Sequence, residues 1–399
     1  MIKAFQEAIP ILQQIEKSGF EAYFVGGSVR DYLLNKEIDD VDIATSATPE
    51  EIKTIFQKTV DVGIEHGTVL VLFNGQTYEI TTFRSEAGYE DFRRPKNVQF
   101  IRSLFDDLKR RDFTMNAIAM NRDGKLIDPF QGNDSIKKNI IQTVGKAEER
   151  FSEDALRMMR AIRFVSQLSF SMEDETFKAL KKYGPLLEKI SIERKTKEFE
   201  KLLSGRNRKK AFQLLIEAEL QTYLPGLKNK NEALKELSLL DCERLPILEM
   251  WVLLTFLLNL AGKEIITFLK DWKLSNQKIK DVARMVGFLH VRFEQNWSPL
   301  SMYQAGEEVC ISTERIYNVL TRKEESDHLT ELRNQYLQLP IKERGQLAIT
   351  GKDIMEWTEK SAGPWLKELL ERIEEMVILE QLVNEKEAIK EWLLTCNPK

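Results

Sequence analysis

Two aspartates two residues apart close the stretch YFVGGSVRDYLLNKEIDDVDIAT, which runs from Tyr23 to Thr45. In a strand, side chains alternate between faces, so Asp40 and Asp42 share one face. Two carboxylates side by side repel each other unless a cation lies between them. Hard divalent cations take oxygen ligands, and Mg²⁺ is usually held by one or two carboxylates plus substrate phosphates. Upstream, Gly26 and Gly27 allow a close backbone approach, and Ser28 is a candidate N-cap for a helix over VRDYLL. A helix N-terminus offers unpaired amides to phosphate, and Arg30 on its first turn adds a cationic fork. Together these residues point to phosphoryl or nucleotidyl transfer.

Further residues could join this chemistry. Glu79, in the alternating strand TYEITTFR, either faces the same cation or makes a surface salt bridge. His66 reads as structural, because magnesium prefers oxygen. In KRRDFTMNAIAM, Arg111 and Asp112 open a helix-like run, and Arg111 is either the partner of Asp112 or a triphosphate clamp. In FSEDALRMMRAIRF, Asp154, Arg157, Arg160 and Arg163 recur at steps of three along one side of a helix. Glu153 and Asp154 are too few to neutralise three arginines, so a bound polyanion such as a nucleoside triphosphate accounts for them better than an arginine-lined interface. Cytosine and adenine both present an amino donor beside a ring-nitrogen acceptor. A carboxylate at Asp154 and a guanidinium at Arg157 match that edge, and would select C and A without a template.

These residues must be positioned by a long chain of 399 residues, enough for two or more domains. The net charge of −4 excludes a generally basic nucleic-acid coat and leaves local patches such as Arg206–Lys210. Three distant cysteines without CxxC spacing argue against a disulfide framework or a zinc site and fit a reducing cytosol. No apolar run is long enough to span a membrane, and Ile247–Leu260, interrupted by Glu249 and Asn259, reads as a buried helix. Up to about residue 145, short β-rich runs alternate with turns; after Phe151, apolar residues recur at helical spacing. All six tryptophans lie in that helical part and read as packing residues. The charged span from Ser85 to Lys96 reads as a mobile surface loop.

In order, GGSVRD with Asp40 and Asp42, RRDFTMNAIA, DPFQGNDSIK from Asp128, EDALR, and SIERKTKEFEKLL from Ser191 make the chain resemble the bacterial CCA-adding enzymes of the second class, tRNA nucleotidyltransferases. The five motifs cover residues 22 to about 203. The resemblance implies an α+β fold: a DNA polymerase beta-like nucleotidyltransferase head with a mixed β-sheet, followed by all-α neck, body and tail. The corresponding spans are 1–145, 146–205, 206–300 and 301–399. It also implies a cytoplasmic enzyme that adds C, C and A to the tRNA 3′ end from CTP and ATP, with the acceptor and TΨC arms lying along the molecule.

By match to the family motifs, Asp40 and Asp42 would bind Mg²⁺, with Glu79 a further candidate. Gly27, Arg30 and Arg111 would contact the nucleotide, Asp154 and Arg157 would read its base, and Arg160 and Arg163 would complete the pocket. Arg194 and Glu198 would brace the neck helices. The 85–96 loop would be a lever that reshapes the pocket from C to A. The alternatives are a poly(A) polymerase, a relative adding only CC or only A, and a catalytically silent tRNA-binding module. A poly(A) polymerase would be expected to carry a basic C-terminal extension, whereas this sequence ends in EKEAIKEWLLTCNPK.

Overall fold

The computed structural model describes residues 2–38, 40–63, 67–90, 94–323 and 326–396, without the side chains of 86–90, 94–97, 326–327 and 396. His66 lies outside the described residues. By its internal contacts the chain divides into two compact units, Met1–Ser238 with Asp271–Lys273, and Leu239–Lys270 with Leu274–Lys399.

The first unit begins with helix α1 (Lys3–Lys17), whose Phe5, Ala8, Ile11, Leu12 and Ile15 recur at helical spacing and are buried. The chain continues through β1 (Ala22–Val25), α2 (Gly27–Leu33), β2 (Asp42–Thr45), α3 (Pro49–Ile55), β3 (Thr59–Gly63), β4 (Thr68–Phe73) and β5 (Gln76–Thr82). Two further short strands, β8 (Ala119–Met120) and β9 (Leu126–Ile127), complete a seven-stranded sheet ordered β3-β4-β5-β2-β1-β8-β9. The sheet is mixed: β2 runs parallel to β5, while the other neighbours are antiparallel. Val69 and Val71 of β4 and Tyr78 and Ile80 of β5 point into the core. The period of two therefore turns Glu79 to the open face, in register with Asp42.

Three expectations change here. The span from Ser85 to Lys96, expected as a loop, lies in an antiparallel strand pair, β6 (Arg84–Glu90) with β7 (Arg94–Phe100), in regular register from Arg84↔Phe100 to Glu90↔Arg94; residues 91–93 lie outside the described residues. The charged sequence hid it, because a two-stranded ribbon needs no apolar face to close its backbone hydrogen bonds. The segment RRDFTMNAIAM is not a helix. Phe113 is extended and bridges Thr143, Thr114–Asn116 form one 3₁₀ turn, and Ala119–Met120 pair with β1. Its apolar residues are spaced for burial on several sides, not for one helical face. Ser28 does not cap α2. The N-cap is Gly26, and Ser28 Oγ donates to the Val25 carbonyl at 2.9 Å.

The third motif fixes this second segment in place. Both carboxylate oxygens of Asp128 accept backbone amides of α5 (Gly132–Lys137), Gly132 N at 2.7 Å and Asn133 N at 2.8 Å. This lets Gly132 lie directly on the Thr114 carbonyl.

Helices follow: α4 (Leu104–Lys109) before the motif, then α6 (Ala147–Glu153), α7 (Leu156–Leu168), α8 (Asp174–Tyr183), α9 (Ile192–Leu203), α10 (Arg208–Glu217) and α11 (Asn231–Leu239). Trp272, fully buried, stacks on Phe199 of α9 at 4.5 Å. The second unit is helical among its described residues, from α12 (Ile247–Leu257) onward, with Trp251 in its core and a buried Arg292–Glu314 pair at 2.6 Å. Of the six tryptophans only Trp251 and Trp272 are fully buried. Among the described residues no helix is long and apolar enough to cross a membrane.

A Cβ on Gly132 would stand 2.1 Å from the Thr114 carbonyl oxygen and 2.7 Å from Ile118. Gly132→Ala is therefore expected to destabilise the first unit by about 2–3 kcal/mol, as overpacking does. A urea titration read in the first unit would show an unchanged midpoint if the contact were harmless.

Candidate active site

The glycine pair sets the geometry. Gly26 has φ 71 and ψ −134, a backbone that L side chains rarely adopt. A Cβ there would lie 3.1 Å from Arg111 Nη1 and 3.4 Å from Asp42 Oδ2. Gly26, more than Gly27, is thus the residue whose lack of a side chain lets Arg111 and Asp42 converge. The doublet alone did not distinguish the two.

Asp42 opens β2, half-buried, whereas Asp40 precedes the strand and is exposed, so the two do not share a strand face as the alternation suggested. The Asp42 carboxyl is pushed up to about 6: first by burial and then by the negative charge of Glu79, with Asp40 adding to it, against the opposing pull of Arg111 and Arg30. A carboxylate crowded by other negative charges, as Asp42 is, is what a divalent cation relieves, so the residues present fit such an ion. Among the described residues no group of three or more His, Cys, Asp or Glu is disposed to hold a metal by itself. An ion here would need further oxygens from substrate phosphates.

The arginines are organised by acids from other segments. Arg30 makes a two-pronged contact with Asp31, at 2.9 and 2.7 Å, and donates Nη1 to Asn116 Oδ1 at 2.7 Å. Asn116 Nδ2 donates in turn to Asp112 Oδ1 at 3.1 Å, and Asp112 Oδ2 accepts from Arg160 Nε at 2.7 Å. This chain of hydrogen bonds runs from the glycine-loop helix to α7. Burial opposes ionisation of Asp112, but Arg160 and the Asn116 amide outweigh it and hold the carboxyl well below the usual range. Arg111 donates to the Asn116 carbonyl and to Asp107, both at 3.2 Å; Asp107, 1% exposed, also binds Arg110 at 2.7 Å. Arg111 is therefore not the partner of Asp112.

In the next motif the geometry differs from a single helix. Asp154 ends α6 with extended backbone (φ −135, ψ 103), and α7 starts at Leu156. Arg194 of α9 grips both Asp154 oxygens at 2.7 and 3.2 Å, and Asp154 Oδ1 accepts Leu156 N at 3.1 Å. Arg157, buried, pairs with Glu153 at 2.5 Å and donates to the carbonyls of Arg150 and Arg110, each at 3.0 Å. Arg163 binds Glu198 at 2.9 Å, and Arg160 lies 4.0 Å from the same carboxylate.

The expectation that the arginines lack acidic partners is therefore corrected: Glu153, Asp112 and Glu198 supply them, two of the three from distant segments. Burial pushes the Arg163 guanidinium down to about 10, against the pull of Glu198 and with the repulsion of Arg160, so it remains charged at neutral pH. Asn116 and Asp107 are residues of the candidate site that sequence reasoning did not single out, and it weighed Asp112 only as a partner for Arg111. For Asn116 the available signal was a polar residue placed between apolar ones in DFTMNAIAM.

The family profile described as Poly A polymerase head domain matches residues 22–142, and that of tRNA nucleotidyltransferase domain 2 matches 247–393. A CCA-adding enzyme of Bacillus cytotoxicus is 48% identical over 398 residues, 99% of this chain and 100% of that one. One from Bacillus cereus is 46% identical, covering 99% and 100%. The crystal structure of the Bacillus stearothermophilus CCA-adding enzyme in complex with CTP is similar across 100% of this chain and 98% of that one, at 45% identity and a TM-score of 0.94.

Because folding raises the Asp42 carboxyl from 3.8 to about 6, the folded protein holds this proton more tightly than the unfolded chain. The metal-free fold is favoured at low pH and loses that contribution as pH rises from about 4 to about 6. Asp42→Asn removes this loss. The variant should be more stable than the parent by on the order of 1–2 kcal/mol at pH 7.5, and equally stable near pH 4. Divalent-cation affinity of the parent should fall about tenfold per pH unit below 6, where protons compete for the ligand. Calorimetry at pH 5, 6 and 7.5 would contradict this with a flat profile.

Proposed function

This chain belongs to the CCA-adding enzymes, and from that premise we propose how its residues carry the reaction. The enzyme adds C, C and A to the 3′ end of tRNA from CTP and ATP and releases pyrophosphate. Family membership implies a divalent metal ion, which we take to be Mg²⁺. The observation that carries the reading is the convergence of Asp42 and Arg111 on the Gly26 backbone, with Asp40 and Glu79 adding negative charge.

Asp40 and Asp42 would hold the ion, with Glu79 the candidate for additional support. Bound there, Mg²⁺ supplies charge stabilisation at the α-phosphate and acidifies the tRNA 3′-hydroxyl. As the 3′-hydroxyl loses its proton to water, its oxygen forms a bond to the α-phosphorus, the α–β bridging bond breaks, and pyrophosphate leaves with the electrons of that bond. Gly27, Arg30 and Arg111 would hold the triphosphate. Asp154 would accept from the amino group shared by cytosine and adenine, and Arg157 would donate to the adjacent ring nitrogen, while Arg160 and Arg163 complete the pocket. Arg194 aims the Asp154 carboxylate, and Glu153 aims Arg157.

In this reading, 1–145 is the catalytic head, 146–205 the base-reading neck, 206–300 the body and 301–399 a tail that binds tRNA. The acceptor and TΨC arms are the parts bound, and the enzyme works in the cytoplasm. The 84–100 strand pair would be the lever between C and A addition. Deleting 86–92 should then leave product tRNAs ending in CC, and a variant that still completed CCA at the normal rate would remove that role.

Purified protein incubated with tRNA lacking its 3′ end should add CC from CTP alone and CCA from both nucleotides. Long A tails from ATP alone would mean a poly(A) polymerase instead. Asp40→Ala or Asp42→Ala should abolish all additions while tRNA binding stays within about twofold. Arg157→Ala should shrink discrimination against UTP and GTP by about 10- to 100-fold, from hydrogen bonds of about 1–3 kcal/mol. A uniform rate loss with selectivity intact would make Arg157 a phosphate contact.

A further inference from the structure

Three guanidinium groups gather on one aromatic ring. Arg163 lies 4.0 Å from the centroid of Phe164, Arg30 lies 5.2 Å away, and Arg160 lies 5.8 Å away. Phe164 is 4% exposed, and Phe113 meets it edge-on at 86° with centroids 5.7 Å apart. The ring thus collects cations from two helices. Arg160 is one turn before it on α7, Arg163 is its neighbour, and Arg30 comes from α2.

Each guanidinium has an acid of its own, Asp31 for Arg30, Asp112 for Arg160 and Glu198 for Arg163. Arg163 and Arg160 share Glu198, and the buried Nε of Arg163 has no hydrogen-bond partner. These acids come from three different segments, whereas the Phe164 ring faces all three guanidinium groups at once. A carboxylate at position 164 would neutralise them and occupy the donors an anion needs. An aliphatic side chain would offer the guanidinium groups no attraction. An aromatic face attracts cations through its quadrupole without consuming N–H donors.

We infer that Phe164 is a positioning residue for nucleotide binding: its ring keeps Arg30, Arg160 and Arg163 gathered as one cationic surface for the incoming triphosphate. This inference rests on the proposed function of the same site and adds the element that orders its charges. Phe113 links the ring to the segment that carries Asp112, so the same packing also seats the hydrogen-bond chain between Arg30 and Arg160.

The test uses the full-length protein and measures CTP binding by calorimetry without tRNA, alongside steady-state addition to tRNA lacking its 3′ end. Position 164 is varied as Phe164→Leu, Phe164→Tyr, and a series of mono-, tri- and pentafluorophenylalanines, which drain the π face with little change in volume. The CTP dissociation constant should rise stepwise with fluorination, to roughly tenfold for the pentafluoro ring and for Phe164→Leu. kcat should stay within about twofold, and Phe164→Tyr should bind as the parent does. A flat fluorine series beside a weakened Phe164→Leu would reduce Phe164 to core packing and overturn the inference, as would Phe164→Leu binding CTP normally. If Phe164→Leu does not fold, the fluorine series decides alone. Loss of CTP binding in the parent itself would overturn the proposed function and this inference with it, whereas a binding parent with a flat series overturns the inference only.

Discussion

A buried carboxylate, Asp112, holds the two halves of the site together. It is 8% exposed, and removing a carboxylate from water is unfavourable unless a cation and hydrogen bonds replace the water. Arg160 from α7, the Asn116 side chain and the Phe113 amide provide them, at 2.7, 3.1 and 2.8 Å. Only the Arg160 bond crosses from the strand-rich head to the first long helix beyond it; the other two hold the carboxylate within its own segment. Breaking a buried pair on one side costs about 3–5 kcal/mol, because the remaining charge is stranded. The position of Arg160 relative to Arg30 is thereby fixed by the same bonds that stabilise the junction. Stability and site geometry are one constraint here.

The carboxylates at the other end of the site follow the opposite rule. Asp42 is left short of positive charge, with Glu79 in register beside it and Asp40 nearby, so its ionisation is held back. A fold optimised for stability alone would place a hydrogen-bond donor there. Gly26 compounds the cost, since it adopts a backbone reserved for glycine in order to let Arg111 and Asp42 approach. Local cost of this kind persists only where the surroundings over-determine the geometry, which the Asp112 chain and the Asp107–Arg111 contact do.

How much of this was legible in the sequence depended on the range of the interaction. The alternation around Asp42 and Glu79, the helical spacing of Leu156, Met159 and Ile162, and the buried helix from Ile247 are local patterns, and the elements appear where those patterns lie. Partners from afar were not legible. The ladder Arg157, Arg160 and Arg163 looked short of acid because its neutralising groups include Asp112, 48 residues from Arg160, and Glu198 on another helix. The run DFTMNAIAM misled for a related reason. Its apolar residues are buried by β1, α5 and the Thr143 bridge from different sides, and no single period describes that. The charged strand pair at 84–100 escaped because its backbone pairs without needing apolar side chains.

The break between α6 and α7 has a consequence for how a protein could read two bases with one pair of residues. Had Asp154 and Arg157 sat on one continuous helix, their separation would be fixed by helical geometry. Instead Asp154 sits in extended backbone between the helices, clamped by Arg194 of α9, while Arg157 rides on α7 and is held by Glu153 and two carbonyls. The Asp154 carboxylate is thus held by α9 and the Arg157 guanidinium by Glu153 and Arg150 of α6. A small displacement of α7 against α9 would change the distance between carboxylate and guanidinium without distorting either helix. Adenine is larger than cytosine but presents the same donor and acceptor order, so a change in position, with no change in chemistry, is what a shared reader requires. The Ser166 hydroxyl, which donates to the Leu202 carbonyl at 2.7 Å, pins the far end of α7 to α9, close to Gly205, where a Cβ would fall 2.1 Å from that hydroxyl. The C-terminal end of α7 is thus tied to α9, whereas its first turn, which carries Arg157, is tied to α6 through Glu153 and the Arg150 carbonyl.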